Sequence, residues 1–138
     1  MRRTIKLAVV TALMLALASV AALAANLVGN NLPNVINGTA ANDTINGRGG
    51  GDRLSGFGGL DEIVGGAGDD LILGGGSADN LRDGNGSDRI LGGTGDDTVY
   101  LAGDDSADYV DCGAGFDHVM RPEVALPKDR LVNCEAVF

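Results

Sequence analysis

The chain has no tryptophan, and its aromatic residues number five: Phe57, Tyr100, Tyr109, Phe116 and Phe138. That is too few for a conventional aromatic-rich core. It has one histidine, His118, and past the first ten residues one lysine, Lys128. The usual acid-base groups are therefore nearly absent, and no GxSxG elbow, HExxH pair or P-loop occurs. These absences argue against an enzyme. Bases are also scarce, 10 against 19 acids, which argues against a nucleic-acid partner. Two cysteines, Cys112 and Cys134, with no CxxC spacing and no second histidine, argue against a zinc site.

Glycine is abundant, with 23 in 138 residues against a usual share of about 7%. Glycine is costly inside ordinary helices and strands but tolerates positive φ, so this surplus points to a turn-rich or repetitive architecture. The first segment differs from the rest. Residues 1–24 combine a short basic start (Arg2, Arg3, Lys6), an uncharged run of Ala, Leu and Val, and Ala22-Leu23-Ala24, which fits a small-residue cleavage site. The expectation is a secretory signal peptide, with an uncleaved membrane anchor as the competing reading. Without it the chain keeps every acid but only 7 bases. Such a Gly-rich, Asp-rich polypeptide collapses poorly unless something neutralises its carboxylates.

An apolar residue recurs every nine positions: Leu27, Ile36, Ile45, Leu54, Ile63, Ile72, Leu81, Ile90 and Val99. Two positions ahead of each, from Ile45 onward, stands an aspartate: Asp43, Asp52, Asp61, Asp70, Asp79, Asp88 and Asp97, with Asn34 ahead of Ile36. The register slips by two around Tyr100 to Ala102 and resumes as Asp108 with Val110 and Asp117 with Val119. Glycines at the first, second and fourth places of a unit allow positive φ, so that carbonyl oxygens converge in a tight turn to which the sixth-place aspartate adds a carboxylate. An all-oxygen donor set suits Ca²⁺ better than zinc or copper. The last three residues of each unit are expected to form a short strand, its central apolar residue pointing inward and the seventh and ninth places outward.

The units Gly65-Gly66-Ala67-Gly68-Asp69-Asp70-Leu71-Ile72-Leu73 and Gly92-Gly93-Thr94-Gly95-Asp96-Asp97-Thr98-Val99-Tyr100 resemble the Gly-Gly-x-Gly-x-Asp-x-apolar-x nonapeptide of RTX, or hemolysin-type, calcium-binding proteins. The resemblance implies an all-β fold, a parallel β-roll in which two units make one coil and units two apart stack. Asp43, Asp61, Asp79 and Asp97 would then line one edge and Asp52, Asp70 and Asp88 the other, with Asp108 and Asp117 continuing the array. Several Ca²⁺ ions would lie between stacked turns, held by these aspartates and by turns containing Gly66, Gly68, Gly84, Gly86, Gly93 and Gly95. Without calcium the chain is expected to be largely disordered. The run from Asp83 to Asp88 superficially matches an EF-hand opening, but Asp88 takes its required glycine position and Thr94 stands where its bidentate Glu belongs.

The roll is expected over residues 25–120, followed by a capping segment over 121–138, because a stack of strands ends in open edges. Two cysteines in an exported chain point to a Cys112–Cys134 disulfide pinning that segment. Val110-Asp111-Cys112-Gly113 with Asn133-Cys134-Glu135 looks like the ending of small secreted bacterial calcium-binding repeat proteins. The functional expectation is a secreted, extracellular calcium-binding protein that folds on meeting the ion, with no stable membrane insertion after removal of the leader. The alternative is an adhesion or recognition module binding a cell-surface polymer or partner protein through one face, for which Val64, Leu71, Leu73, Leu91 and Tyr100 are candidate apolar contacts. The outward places show no uniform Thr or Asn row, which disfavours ice binding.

Overall fold

The computed structural model describes residues 23–122 and 128–138. The expected leader lies almost wholly outside them, as does Pro127. Within them the chain winds as a parallel solenoid of thirteen strands: β1 (Asn26–Val28), β2 (Val35–Asn37), β3 (Thr44–Gly49), β4 (Arg53–Gly58), β5 (Glu62–Ala67), β6 (Leu71–Gly76), β7 (Asn80–Asn85), β8 (Arg89–Thr94), β9 (Thr98–Tyr100), β10 (Tyr109–Ala114), β11 (His118–Met120), β12 (Arg130–Val132) and β13 (Ala136–Val137). Odd-numbered strands form one sheet and even-numbered strands the other, each in stacking order. Two units therefore make one coil, as the resemblance implied.

Register follows the repeat. Ile45 pairs with Ile63 and Ile63 with Leu81 in the odd sheet, and Leu54 with Ile72 and Ile72 with Ile90 in the even sheet, each 18 residues apart. Past the slip the interval is 20, Ile90 pairing with Val110 and Val99 with Val119. The two extra residues sit in the loop between β9 and β10. Because side chains alternate, the sixth, eighth and first places of consecutive units share the inner face, so the core is one row of Ile, Leu or Val per sheet, flanked by carboxylates. Ile45 through Val99 at the eighth places are fully buried, joined by Val110 and Val119.

Most strands are longer than expected. Six-residue strands such as β5 and β6 run through the ninth place into the next unit, and pairing continues around the bend, for example Gly66 with Gly84 and Gly75 with Gly93. Successive coils touch so closely there that a Cβ on Gly75, at φ 115°, would strike the carbonyl of Phe57. Three non-glycine residues in the turns, Arg48, Phe57 and Ser77, take positive φ of 75–76°. The outward expectation for the seventh and ninth places holds except at Ser55, which is buried. The proposed apolar patch is divided between the sheets, with Val64 and Tyr100 on β5 and β9 and Leu71, Leu73 and Leu91 on β6 and β8. The split arises because adjacent units alternate between sheets.

The capping segment closes the stack by continuing it. β12 pairs with β10 and β13 with β11, both parallel, and Leu131 packs against the core. The Cys112–Cys134 disulfide is present, with its Cα atoms 5.2 Å apart, and ties β10 to the chain between the last two strands. Both thiols are thereby withdrawn from metal binding. His118 is half-buried between Phe116 and Phe138, whose ring centroids lie 5.2 and 5.9 Å from its own.

Two stability outcomes follow for the folded roll. Phe57→Gly relieves a strained turn and raises the urea midpoint, by about 1 kcal/mol of stability, whereas Gly75→Ala lowers it by more than that. Replacing both cysteines with serine costs about 3 kcal/mol, and equilibrium urea unfolding measures each value.

Candidate metal centre

Alternation along each strand places the sixth-place aspartate inside the roll, one residue before the strand begins and directly beside the first-place glycine. Asp43, Asp52, Asp61, Asp70, Asp79, Asp88, Asp97, Asp108 and Asp117 are all buried, none more than 4% exposed. Oδ1 of each is held by the coil before it. Oδ1 of Asp61 accepts from the Asp43 amide at 2.7 Å, Asp79 from Asp61 at 2.9 Å, Asp97 from Asp79 at 2.9 Å and Asp117 from Asp97 at 2.8 Å. On the other edge Asp70 accepts from Asp52 at 2.7 Å, Asp88 from Asp70 at 2.7 Å and Asp108 from Asp88 at 2.9 Å. The aspartates thus form two ladders in the order the repeat dictates.

The second oxygen is different. Oδ2 of Asp52, Asp61, Asp70, Asp79, Asp88, Asp97 and Asp117 is buried and accepts no hydrogen bond. Oδ2 of Asp43 is satisfied within its own turn by Thr39. A buried carboxylate without counter-charge costs several kcal/mol, while burying one Ile or Leu contributes about 1.5–3 kcal/mol. Each unit holds one of each. The apolar rows alone leave no margin to hold the ladder ionised.

The turns supply a second set of oxygens. Gly66, Gly84 and Gly93 at second places and Gly68, Gly86 and Gly95 at fourth places all have positive φ. Each faces the carbonyl oxygen of the equivalent residue one coil earlier, as Gly84 faces Gly66 and Gly86 faces Gly68. Carboxylate and carbonyl oxygens with no nitrogen or sulfur are the donors a hard divalent cation takes, and the unpartnered Oδ2 rows are where its charge is missing. The residues fit calcium.

Electrostatics agree. Burial, reinforced by the carboxylates of neighbouring coils, pushes Asp70 and Asp97 up to about 6 and Asp79 and Asp88 up to about 7. Asp61, Asp108 and Asp117 rise for the same reason. At Asp43 burial acts in the same direction, but hydrogen bonds from Thr39 and Ala25 outweigh it and the pKa falls.

Three acidic residues outside the expected set join this arrangement. Asp129 and Glu135 in the capping segment accept the amides of Asp108 and Asp117, at 3.1 and 2.9 Å, and extend both ladders by one coil. Their signal was an acid two places ahead of an apolar residue, Asp129 before Leu131 and Glu135 before Val137, hidden by the loss of nine-residue spacing. Asp83, at a first place where most units have glycine, is 1% exposed and turned inward. Burial pushes it to about 7.

Compared with known protein families, the chain matches the RTX calcium-binding nonapeptide repeat in four overlapping copies, over residues 28–59, 55–82, 73–105 and 82–119. No curated protein and no solved structure matches it.

The raised aspartates set a sign for pH dependence. Between pH about 4, where unfolded aspartates titrate, and pH about 7, the ion-free roll binds more protons than the unfolded chain, so its stability falls as pH rises through that window. In chelator the far-UV β signal is therefore expected to be largest near pH 4 and to be lost as the pH rises to 8. With saturating calcium, which holds the carboxylates deprotonated, that decline disappears.

Proposed function

The chain belongs to the RTX calcium-binding nonapeptide repeat family, and from that premise we propose that its two aspartate ladders hold Ca²⁺ ions whose binding drives folding of the roll. The family and the solenoid scaffold are those of a non-catalytic calcium-binding repeat protein. The observation that carries the proposal is the set of seven buried, unpartnered Oδ2 atoms distributed along both edges. The ligands are Asp52, Asp61, Asp70, Asp79, Asp88, Asp97 and Asp117, aided by Asp43 and Asp108 and by carbonyl oxygens of the glycine turns. Asp129 and Glu135 present carboxylates to the last coil. When bound, the ion supplies the positive charge that the apolar rows cannot offset. The chain's own amides do the rest: they fix Oδ1 and leave Oδ2 free for the metal.

Export is part of the same proposal. Residues 1–24 read as a secretory leader, and the Cys112–Cys134 bond suits an oxidising compartment. Calcium is scarce inside cells and abundant outside, so a chain that is unfolded without calcium crosses first and folds afterwards. Among the described residues no helix is long and apolar enough to cross a membrane. A second reading, docking of a surface polymer or protein, draws on the outer face of the even sheet, where Leu73 pairs with Leu91 and Arg89 lies 4.9 Å from the centre of the Tyr109 ring.

Far-UV circular dichroism during a calcium titration, starting in chelator and with magnesium as control, tests the first reading. The expected result is a cooperative coil-to-β transition with calcium alone. A chain already fully folded in chelator and indifferent to calcium would falsify it. Asp70→Asn and Asp79→Asn, one on each edge, are each expected to move the transition to higher calcium, by about tenfold.

A further inference from the structure

The ladder repeats one carboxylate per turn, but at one point three converge. Among the described residues, Asp83, Asp88 and Asp108 each offer an oxygen within 4.8 Å of the other two, and all three are buried. The convergence has two causes in sequence. Asp83 occupies the first place of its unit, on the inner face, and the turn stacked against it one coil later is replaced by the two-residue-longer loop that carries Asp108 to Asp88. At the first-place glycines Gly47, Gly56, Gly65, Gly74 and Gly92, the space a Cβ would take abuts Oδ2 of the same unit's aspartate. In this unit the residue in that place is itself a carboxylate.

Further observations point to a ligand. Asp88 is only 3% exposed, and its Oδ2 accepts no hydrogen bond. Asp83 is held from behind, its Oδ1 accepting from the Gly84 amide at 2.6 Å and the Ala102 amide at 2.8 Å, as outer-shell donors hold a metal-binding carboxylate. The nearby bases are engaged elsewhere. Arg82 lies over the Tyr100 ring at 5.1 Å, and Nζ of Lys128 donates to the Asp105 carbonyl at 2.9 Å. A cleft of about 270 Å³, whose lining includes Arg82, Asp83, Tyr100 and Ala102, reaches the Asp83 member of the cluster.

We propose that Asp83, Asp88 and Asp108 form a three-carboxylate site for a hard divalent cation of the calcium class, in which Asp83 joins two rungs of the ladder and which fills before the other turns. Charge count sets the order: with three carboxylates this site binds a cation more tightly than a turn that supplies one. The repeating nonapeptide has no acid at its first place, so the site belongs to this chain's departure from the repeat. It rests on the reading of Asp88 and Asp108 as ladder ligands and adds Asp83 to them.

The test compares the wild-type chain with Asp83→Asn, which keeps an acceptor for the two amides, and Asp83→Gly, which restores the glycine that most other units carry. Asp105→Asn, in the exposed part of the same loop, controls for loss of charge alone. Calcium is titrated calorimetrically. Terbium(III) is titrated by tyrosine-sensitised emission, because Tyr109 follows Asp108 in the chain and Tyr100 lines the same cleft as Asp83. Both Asp83 variants are expected to lose the tightest sensitised phase, its midpoint rising about tenfold or more, while Asp105→Asn matches wild type. Circular dichroism separates the two proposals: a tight sensitised phase that depends on Asp83 supports this site even if the coil-to-β transition is absent. A terbium midpoint unchanged in both Asp83 variants would mean that protons alone neutralise the cluster, and the proposal would fall.

Discussion

Everything in this structure is arranged around carboxylate oxygens that have been taken out of water and given no donor. The aspartates cannot turn outward, because the two-residue period that buries Ile63 and Ile72 also buries Asp61 and Asp70. Nor can their charge be met by bases, since the few arginines lie on outward-facing strand positions such as Arg53, Arg82 and Arg89. The backbone meets half of the demand through Oδ1 and leaves the other half. What fills it decides whether the chain is a roll or a coil.

Stability in such a stack is close to one-dimensional, each coil resting on its neighbours alone. The apolar rows are thin, one side chain per strand, and contain no aromatic residue. A roll of this kind has little reserve against local opening, and its order is coupled to ion occupancy coil by coil. The disulfide and the Phe116, His118 and Phe138 rings fasten the end where the repeat is least regular. There, covalent and aromatic contacts stand in for the missing glycine turns.

Much of this was legible in the residues. An apolar residue every nine positions with an aspartate two ahead marks the unit and its inner face, and the family resemblance supplied the stacking of units two apart into two edges. The pairing of Cys112 with Cys134 followed from their number. Strand length was less accessible, since pairing through Gly66 and Gly75 depends on how closely coils approach and not on propensity. The division of Leu73 from Tyr100 needed the alternation between sheets to be applied to the outer face as it was to the inner one. Asp129 escaped notice because it lies 21 residues from Asp108, and Glu135, although 18 from Asp117, because Leu126 and not an acid stands nine residues ahead of it. Asp83 was weighed only as part of an unrelated loop motif, and its inward orientation is a property of place within the unit.

The hydrogen bonds between ladder residues have a direction: every coil donates amides to carboxylates of the coil that follows. At its first coil the ladder has no carboxylate to offer. Ala25 and Asn34 hold the equivalent places, and Oδ1 of Asn34 is taken up by the Asn30 amide of its own turn at 2.8 Å. A further coil laid against β1 and β2 would find its amides facing an alanine and an asparagine already engaged. The exposed edges of parallel solenoids invite end-to-end growth into fibres. Here the side-chain chemistry of a single coil makes the ladder discontinuous at that face, so that the sequence itself terminates the stack.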